Sequence, residues 1–146
     1  AEDDIPMSDP LSLCHNQVMA FFRDLDESRY DDLVRRLAPD GVWLRQGQTL
    51  AGRDAVLAAL ARRSPTQRIH HLISNLAAHA WNADRCAMRA YMLVVRHDSG
   101  AALSGPAPLT GIDTIRTTHI ELARHDGEWL ISRMANDDPG FSAQAA

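Results

Sequence analysis

Lysine is missing from this chain: all 15 basic side chains are arginines, set against 19 acids for a formal net charge of -4. The arginines are scattered among the acids and form no single basic stripe, which argues against nucleic acid as a main partner. Cysteine is scarce as well. Cys14 and Cys86 are far apart in sequence, with no CxxC spacing and no nearby cluster of ligands, so buried free thiols are expected and a disulfide is not. No apolar run approaches the ~20 residues of a membrane span. The opening AEDDIPMSDP has neither a basic region nor an apolar core, and the expectation is a cytoplasmic protein without a membrane partner.

What is present suffices for one domain. A chain of 146 residues can bury about two-thirds of the surface that it exposes unfolded, which leaves room for a core with a pocket in it. Residues 1–146 are expected to be a single domain, with a core over about 10–136. The apolar period changes once along the chain. In PLSLCHNQVMAFFRDLDES, Leu11, Val18, Phe21, Phe22 and Leu25 recur at helical spacing behind a possible cap at Asp9, predicting a helix over 10–26. Ser28 and Asp31 resemble a capping box, and Tyr30, Leu33, Val34 and Leu37 predict a short second helix that Pro39 stops. GVWLRQ reads as a first strand, and GRDAVLAALARRS as a third helix. Beyond it the period is two. Runs at 67–80, 85–97, 111–124 and 128–135 predict four strands in an antiparallel meander, with Asp126-Gly127 a strong hairpin signal. Three helices followed by a long curved sheet make an α+β domain, most economically a cone with one open end.

The segment RIHHLISN carries the chemistry of most interest. Successive side chains of a strand point to opposite faces, so His70 and His71 cannot both enter the interior. Both faces of this strand hold apolar residues, and the hydrophobic pattern does not choose between them. Asn75, which shares the parity of His71 and can donate and accept hydrogen bonds, tips the choice towards His71 as the inward residue. His70 then faces solvent or a second subunit. Asp26 stands at the end of a helix, where a carboxylate opposes the macrodipole, so helix stability does not explain it. His15, His79, His119 and His125 have no supporting constellation.

The order of elements, the phrase YDDLVRRLAPDGVW, the helix GRDAVLAAL and the HHLISN strand together resemble the nuclear transport factor 2-like superfamily in its SnoaL-like branch, over about residues 10–136. Within that branch the pattern is most similar to scytalone dehydratase. The resemblance implies a cone of three helices in a curved sheet (a cystatin-like fold), an acid–base site at Asp26, His71 and His97, and no cofactor. It implies that Asp26 orients His97 while His71 moves the proton. Those three residue types also suit a two-histidine, one-carboxylate metal site, but the resembled enzymes work without metal and none is expected. Two tyrosines that hold water in scytalone dehydratase fall at Leu25 and Arg45 here, and two supporting polar residues fall at Arg116 and Thr118. The shell that would read the substrate therefore departs from that pattern. Ketosteroid isomerases of the same fold need a carboxylate near the end of the first strand, where this chain has Arg45 and Gln46.

The expected activity is that of a dehydratase-like lyase or isomerase acting on a small cyclic or aromatic carbonyl compound. Trp43, Met88, Tyr91, Val95 and Met134 are candidates for an apolar lining, with plain core packing as the competing role. Asn75 would join that wall, and Arg45 or Arg116 could hold a carboxylate, enolate or phenolate oxygen. Two other readings stand beside it: a non-catalytic small-molecule binding domain, and an assembly subunit similar to the small subunit of ring-hydroxylating dioxygenases. Leu72, Leu76 and either Leu93 or Met92 leave the outer sheet face partly apolar whichever parity holds, so a homo-oligomer, dimer or trimer, is expected.

Overall fold

A computed structural model describes residues 9–144. Helix α1 (Pro10–Asp26) begins where the sequence places it: the Asp9 carboxylate accepts the Ser12 N–H at 2.9 Å, and Pro10 occupies the first turn, where its missing N–H costs nothing. Cys14, Val18, Phe21, Phe22 and Leu25 form its buried stripe. Helix α2 (Tyr30–Arg35) is shorter than predicted and has no side-chain cap. Its N-cap is Arg29, because Ser28 takes a left-handed φ of 59° in the turn leaving α1. Leu37 is not helical but opens β1 (Leu37–Arg45), buried and paired with Ile131.

Strand β1 folds back on β2 (Gln48–Ala51) through Gln46-Gly47, a two-residue turn with φ of 51° and 76°. Both values are positive, as a type I′ hairpin requires. Asp126-Gly127 makes the same kind of turn, with φ of 49° and 83°. Helix α3 (Arg53–Leu60) follows β2, and four long strands follow α3: β3 (Arg68–Trp81), β4 (Arg85–His97), β5 (Thr114–His125) and β6 (Glu128–Asn136). A short β7 (Phe141–Ser142), unforeseen in the sequence, pairs with the start of β5.

The sheet order is β2-β1-β6-β5-β4-β3. Strands β3 to β6 form the expected antiparallel meander. Strand β1, however, joins β6 in parallel, so the sheet is mixed. At that junction Gly41 is essential to the approach: a Cβ there would stand 2.9 Å from the Ile131 carbonyl oxygen and 3.0 Å from that of Ala38. The unclosed, curved sheet wraps α1, and residues from both fill one core in which Phe21, Leu33, Leu37, Ile120, Leu122 and Ile131 are fully buried. Asp24 is the buried charge in this layer. It receives Arg36 Nε at 2.7 Å, while Arg36 Nη1 donates to Gln17 at 2.9 Å, so the carboxylate is paired where an unpaired one would be prohibitive. Cys14 and Cys86 are buried and free, and burial pushes the Cys14 thiol up to about 12, keeping it protonated and inert.

Candidate functional site

The alternation of β4 fixes which side chains face inward. Cys86, Met88, Ala90, Met92 and Val94 are buried, whereas Tyr91 is 52% exposed. Pairing with β5 runs without a shift from Arg85 to Val94, so no bulge changes the parity. Tyr91 and Val95 therefore cannot share the inner face with Met88, and the expectation that all three line one pocket is corrected by the two-residue period itself. Met88 does point inward, but into the packed core below the cavity.

On β3, Ile69, His71 and Ile73 face inward, and His70 and Leu72 outward. Asn75, the residue that suggested this choice, is not on the inner wall. It sits in a bulge between Ser74 and Ala77 with a left-handed φ of 56°, exposed, and accepts a hydrogen bond from the Ser74 hydroxyl. Asparagine tolerates this conformation better than most residues. The bulge resets the alternation, so Leu76 and Ala78 pack inward after it.

A cavity of about 600 Å³ opens at one end of the cone. That lies within the usual range for small-molecule sites. Phe22, Trp43, Ile69, Met92, Val94 and Met134 give it an apolar wall, and Gln48, Gln67 and Asn136 add neutral polar groups. His71 lines it too, and its ring packs 5.8 Å from that of Phe22. Asp26 approaches His71 from behind. Its Oδ1 lies 2.6 Å from His71 Nδ1, and its two oxygens also accept the His71 backbone N–H at 3.1 and 3.0 Å. The end of α1 is thus clamped to β3, with both side chains largely buried, at 11% exposure for His71 and 13% for Asp26.

A carboxylate facing Nδ1 accepts a hydrogen bond from a proton carried there, and in that tautomer of the neutral ring Nε2 keeps a free lone pair. Such an arrangement is chemically able to serve as a base oriented by a carboxylate. The expected Asp26–His97 contact is not formed. His97 ends β4 opposite Arg68, has the outward parity of Tyr91 and Val95, and is not part of the cavity wall. Among the described residues no group of three His, Cys, Asp or Glu side chains could hold a metal ion.

Arginines, not tyrosines, surround the mouth. Arg45 and Arg116 are there as the sequence suggested, and Arg62, Arg63 and Arg96 join them. Arg45 stacks 5.4 Å from the centre of the Trp43 ring. Burial, and then the Arg63 charge, hold the Arg45 guanidinium below its usual pKa. Arg63 donates to the Leu25 carbonyl and the Tyr30 hydroxyl, both at 2.9 Å, pinning the exit of α3 against α1 and α2. Arg96 was legible in principle, since it follows Met92 and Val94 at the spacing of the inner face. Arg62 and Arg63 carried no such signal, because they follow α3 in a turn. Thr118 is fully buried with its hydroxyl unpartnered, and Asn136 Oδ1 is likewise buried and unpartnered.

No curated protein matches the chain in sequence. Among solved structures, a proposed scytalone dehydratase from Novosphingobium aromaticivorans is similar at TM-score 0.73 and 16% identity, covering 92% of this chain and 87% of that one. An NTF2-like protein with a cystatin-like fold from the same organism gives TM-score 0.71 and 17% identity over 90% of this chain and 83% of that one. A Catenulispora acidiphila protein solved in complex with S-DNPA gives TM-score 0.64 and 21% identity, over 86% of this chain and 90% of that one. At these identities the likeness shows the fold alone. The family model for the SnoaL-like domain matches residues 13–135, nearly the whole of the helix-and-sheet cone, and the chain belongs to this SnoaL-like family.

Proposed function

We propose that the chain is a dehydratase-like lyase or isomerase that uses His71, oriented by Asp26, as a general acid–base group on a small cyclic or aromatic carbonyl compound. The observation that carries this reading is the 2.6 Å contact between Asp26 Oδ1 and His71 Nδ1, which frees Nε2 at the wall of a cavity of about 600 Å³. In the dehydratase version Nε2 takes a proton from the carbon next to the carbonyl. The C–H electron pair becomes the new C=C bond as the β-hydroxyl leaves. The proton returned by His71 makes that hydroxide water and restores the neutral ring. Positioned acid–base groups of this kind contribute about 10²- to 10⁴-fold. His97 has no part in this version, since it is not in the cavity wall. The family resemblance favours the same chemistry: a solved structure of this fold is described as a proposed scytalone dehydratase. The test is to incubate the protein with a panel of cyclic β-hydroxy ketones and follow the conjugated product by absorbance. Product formation above the buffer rate is expected for at least one compound. Tight binding of several compounds with no product from any would favour the non-catalytic binding domain.

We also propose that the protein is a homo-oligomer. The outer face of β3 and β4 exposes Leu72 at 49% and Tyr91 at 52%, flanked by Leu93 and Val95, an apolar surface of the kind that interfaces cover. Light scattering at micromolar concentration is expected to give a multiple of the 16.1 kDa chain mass; a monomeric mass would count against it.

A further inference from the structure

The charge around the cavity does not match the charge of the chain. The protein carries -4 overall, yet Arg45, Arg62, Arg63, Arg96 and Arg116 line this one cavity against a single carboxylate, Asp113. That carboxylate is committed at the rim, 3.6 Å from Arg96, with both groups partly exposed. The other four make no ion pair among the described residues. Arg45 Nη1 reaches only the Gln46 side-chain oxygen, at 3.5 Å, and Arg116 Nη1 the Asp137 carbonyl, at 3.4 Å. Arg62 and Arg63 donate to neutral oxygens. Gathering like charges at the mouth of a cavity is unfavourable unless a counter-charge arrives from outside, and such a field draws in ligands of opposite sign.

We propose that the ligand of this cavity is an organic carboxylate, with Arg45 as the residue that binds its carboxylate group and the Trp43, Met92 and Met134 wall taking its ring. The inference rests on reading the cavity as a substrate pocket, and adds the chemical class of what enters it. Arg45 fits the task because its planar guanidinium is stacked on Trp43 and its fork matches the two oxygens of a carboxylate. Its guanidinium is already partly desolvated and repelled by Arg63, so an incoming anion relieves an existing cost. The acid arrives as the anion near neutral pH, and the apolar wall asks for a cyclic body behind it.

The test is binding, read separately from turnover. Benzoate, naphthoate and cyclohexanecarboxylate are each paired with their primary amide, and dissociation constants are measured by calorimetry or ligand-observed NMR. At least one carboxylate is expected to bind at least about tenfold tighter than its amide, and raising the salt should weaken the acid alone. Arg45→Gln should weaken that carboxylate about tenfold and leave the amide within about twofold. The preference of the unaltered protein stands even if the variant fails to fold. Equal affinity within every pair, no binding of any probe, or a preference unchanged in a folded Arg45→Gln would overturn the proposal. So would naphthyl phosphate binding tighter than naphthoate, which would assign a tetrahedral oxyanion instead. A carboxylate preference without any turnover supports this inference while removing the catalytic reading; turnover of neutral ketones with no such preference does the reverse.

Discussion

Replacing His71 with asparagine is expected to lower turnover by at least about 100-fold while ligand affinity changes only a few-fold. Asparagine keeps a polar side chain at the cavity wall but cannot carry the proton. The expected loss is large because the geometry leaves no substitute: among the histidines, His71 is the one that lines the cavity. Asp26→Asn should cost less. The amide oxygen can still accept the His71 backbone N–H, now held at 3.1 and 3.0 Å by the carboxylate, but the pull that keeps the ring proton on Nδ1 is lost. Because Asp26 acts through His71, the double variant should be little worse than His71→Asn alone. Additive losses in that cycle would mean that the two residues work independently. His97→Asn should leave turnover unchanged.

The second large effect is on stability. Phe21→Ala should destabilise the fold by about 3–5 kcal/mol, the usual cost of removing a fully buried aromatic side chain and leaving a void. Phe21 is 0% exposed and meets Phe22 and Trp43 edge-on, with ring centres 5.3 and 5.2 Å apart. It is the packing link between α1 and the cavity wall, since Phe22 and Trp43 both line the cavity. A urea unfolding midpoint unchanged from the parent would show that the helix does not support the sheet as described.

The sequence was most legible where one strong local rule acts alone. Asp9, Pro10 and the apolar stripe set α1 at its observed bounds, and the strand-like run RCAMRAYMLVVRH coincides with β4 from Arg85 to His97. It was least legible where long-range pairing decides. Nothing local tells Leu37 to leave the helix of Tyr30; its place opposite Ile131 in a parallel ladder does. The β1–β2 turn carries little local signal, because Gln-Gly announces the same positive φ values more weakly than Asp-Gly does.

The site shows the same division. Asp26 and His71 are 45 residues apart, and the family pattern brought both to notice, yet the imidazole that Asp26 meets is the one on β3 and not the one on β4. His71 does face the cavity, but the bulge at Asn75 means that their shared parity is not the reason. Tyr91 and Val95 have the opposite parity to Met88 in the alternation of their own strand, which excludes them from the wall. The arginines of the mouth come from four separate elements and turns, so their convergence belongs to the tertiary fold.

In the proposed mechanism His71 exchanges a proton with a carbon next to a carbonyl. Its most direct test is deuterium exchange in heavy water, followed by NMR at that carbon of a ligand shown to bind, with the parent protein and His71→Asn side by side. Exchange by the parent is expected well above the buffer rate, and a rate near that of buffer for the variant when both are saturated with ligand. Equal exchange by the two proteins would contradict it.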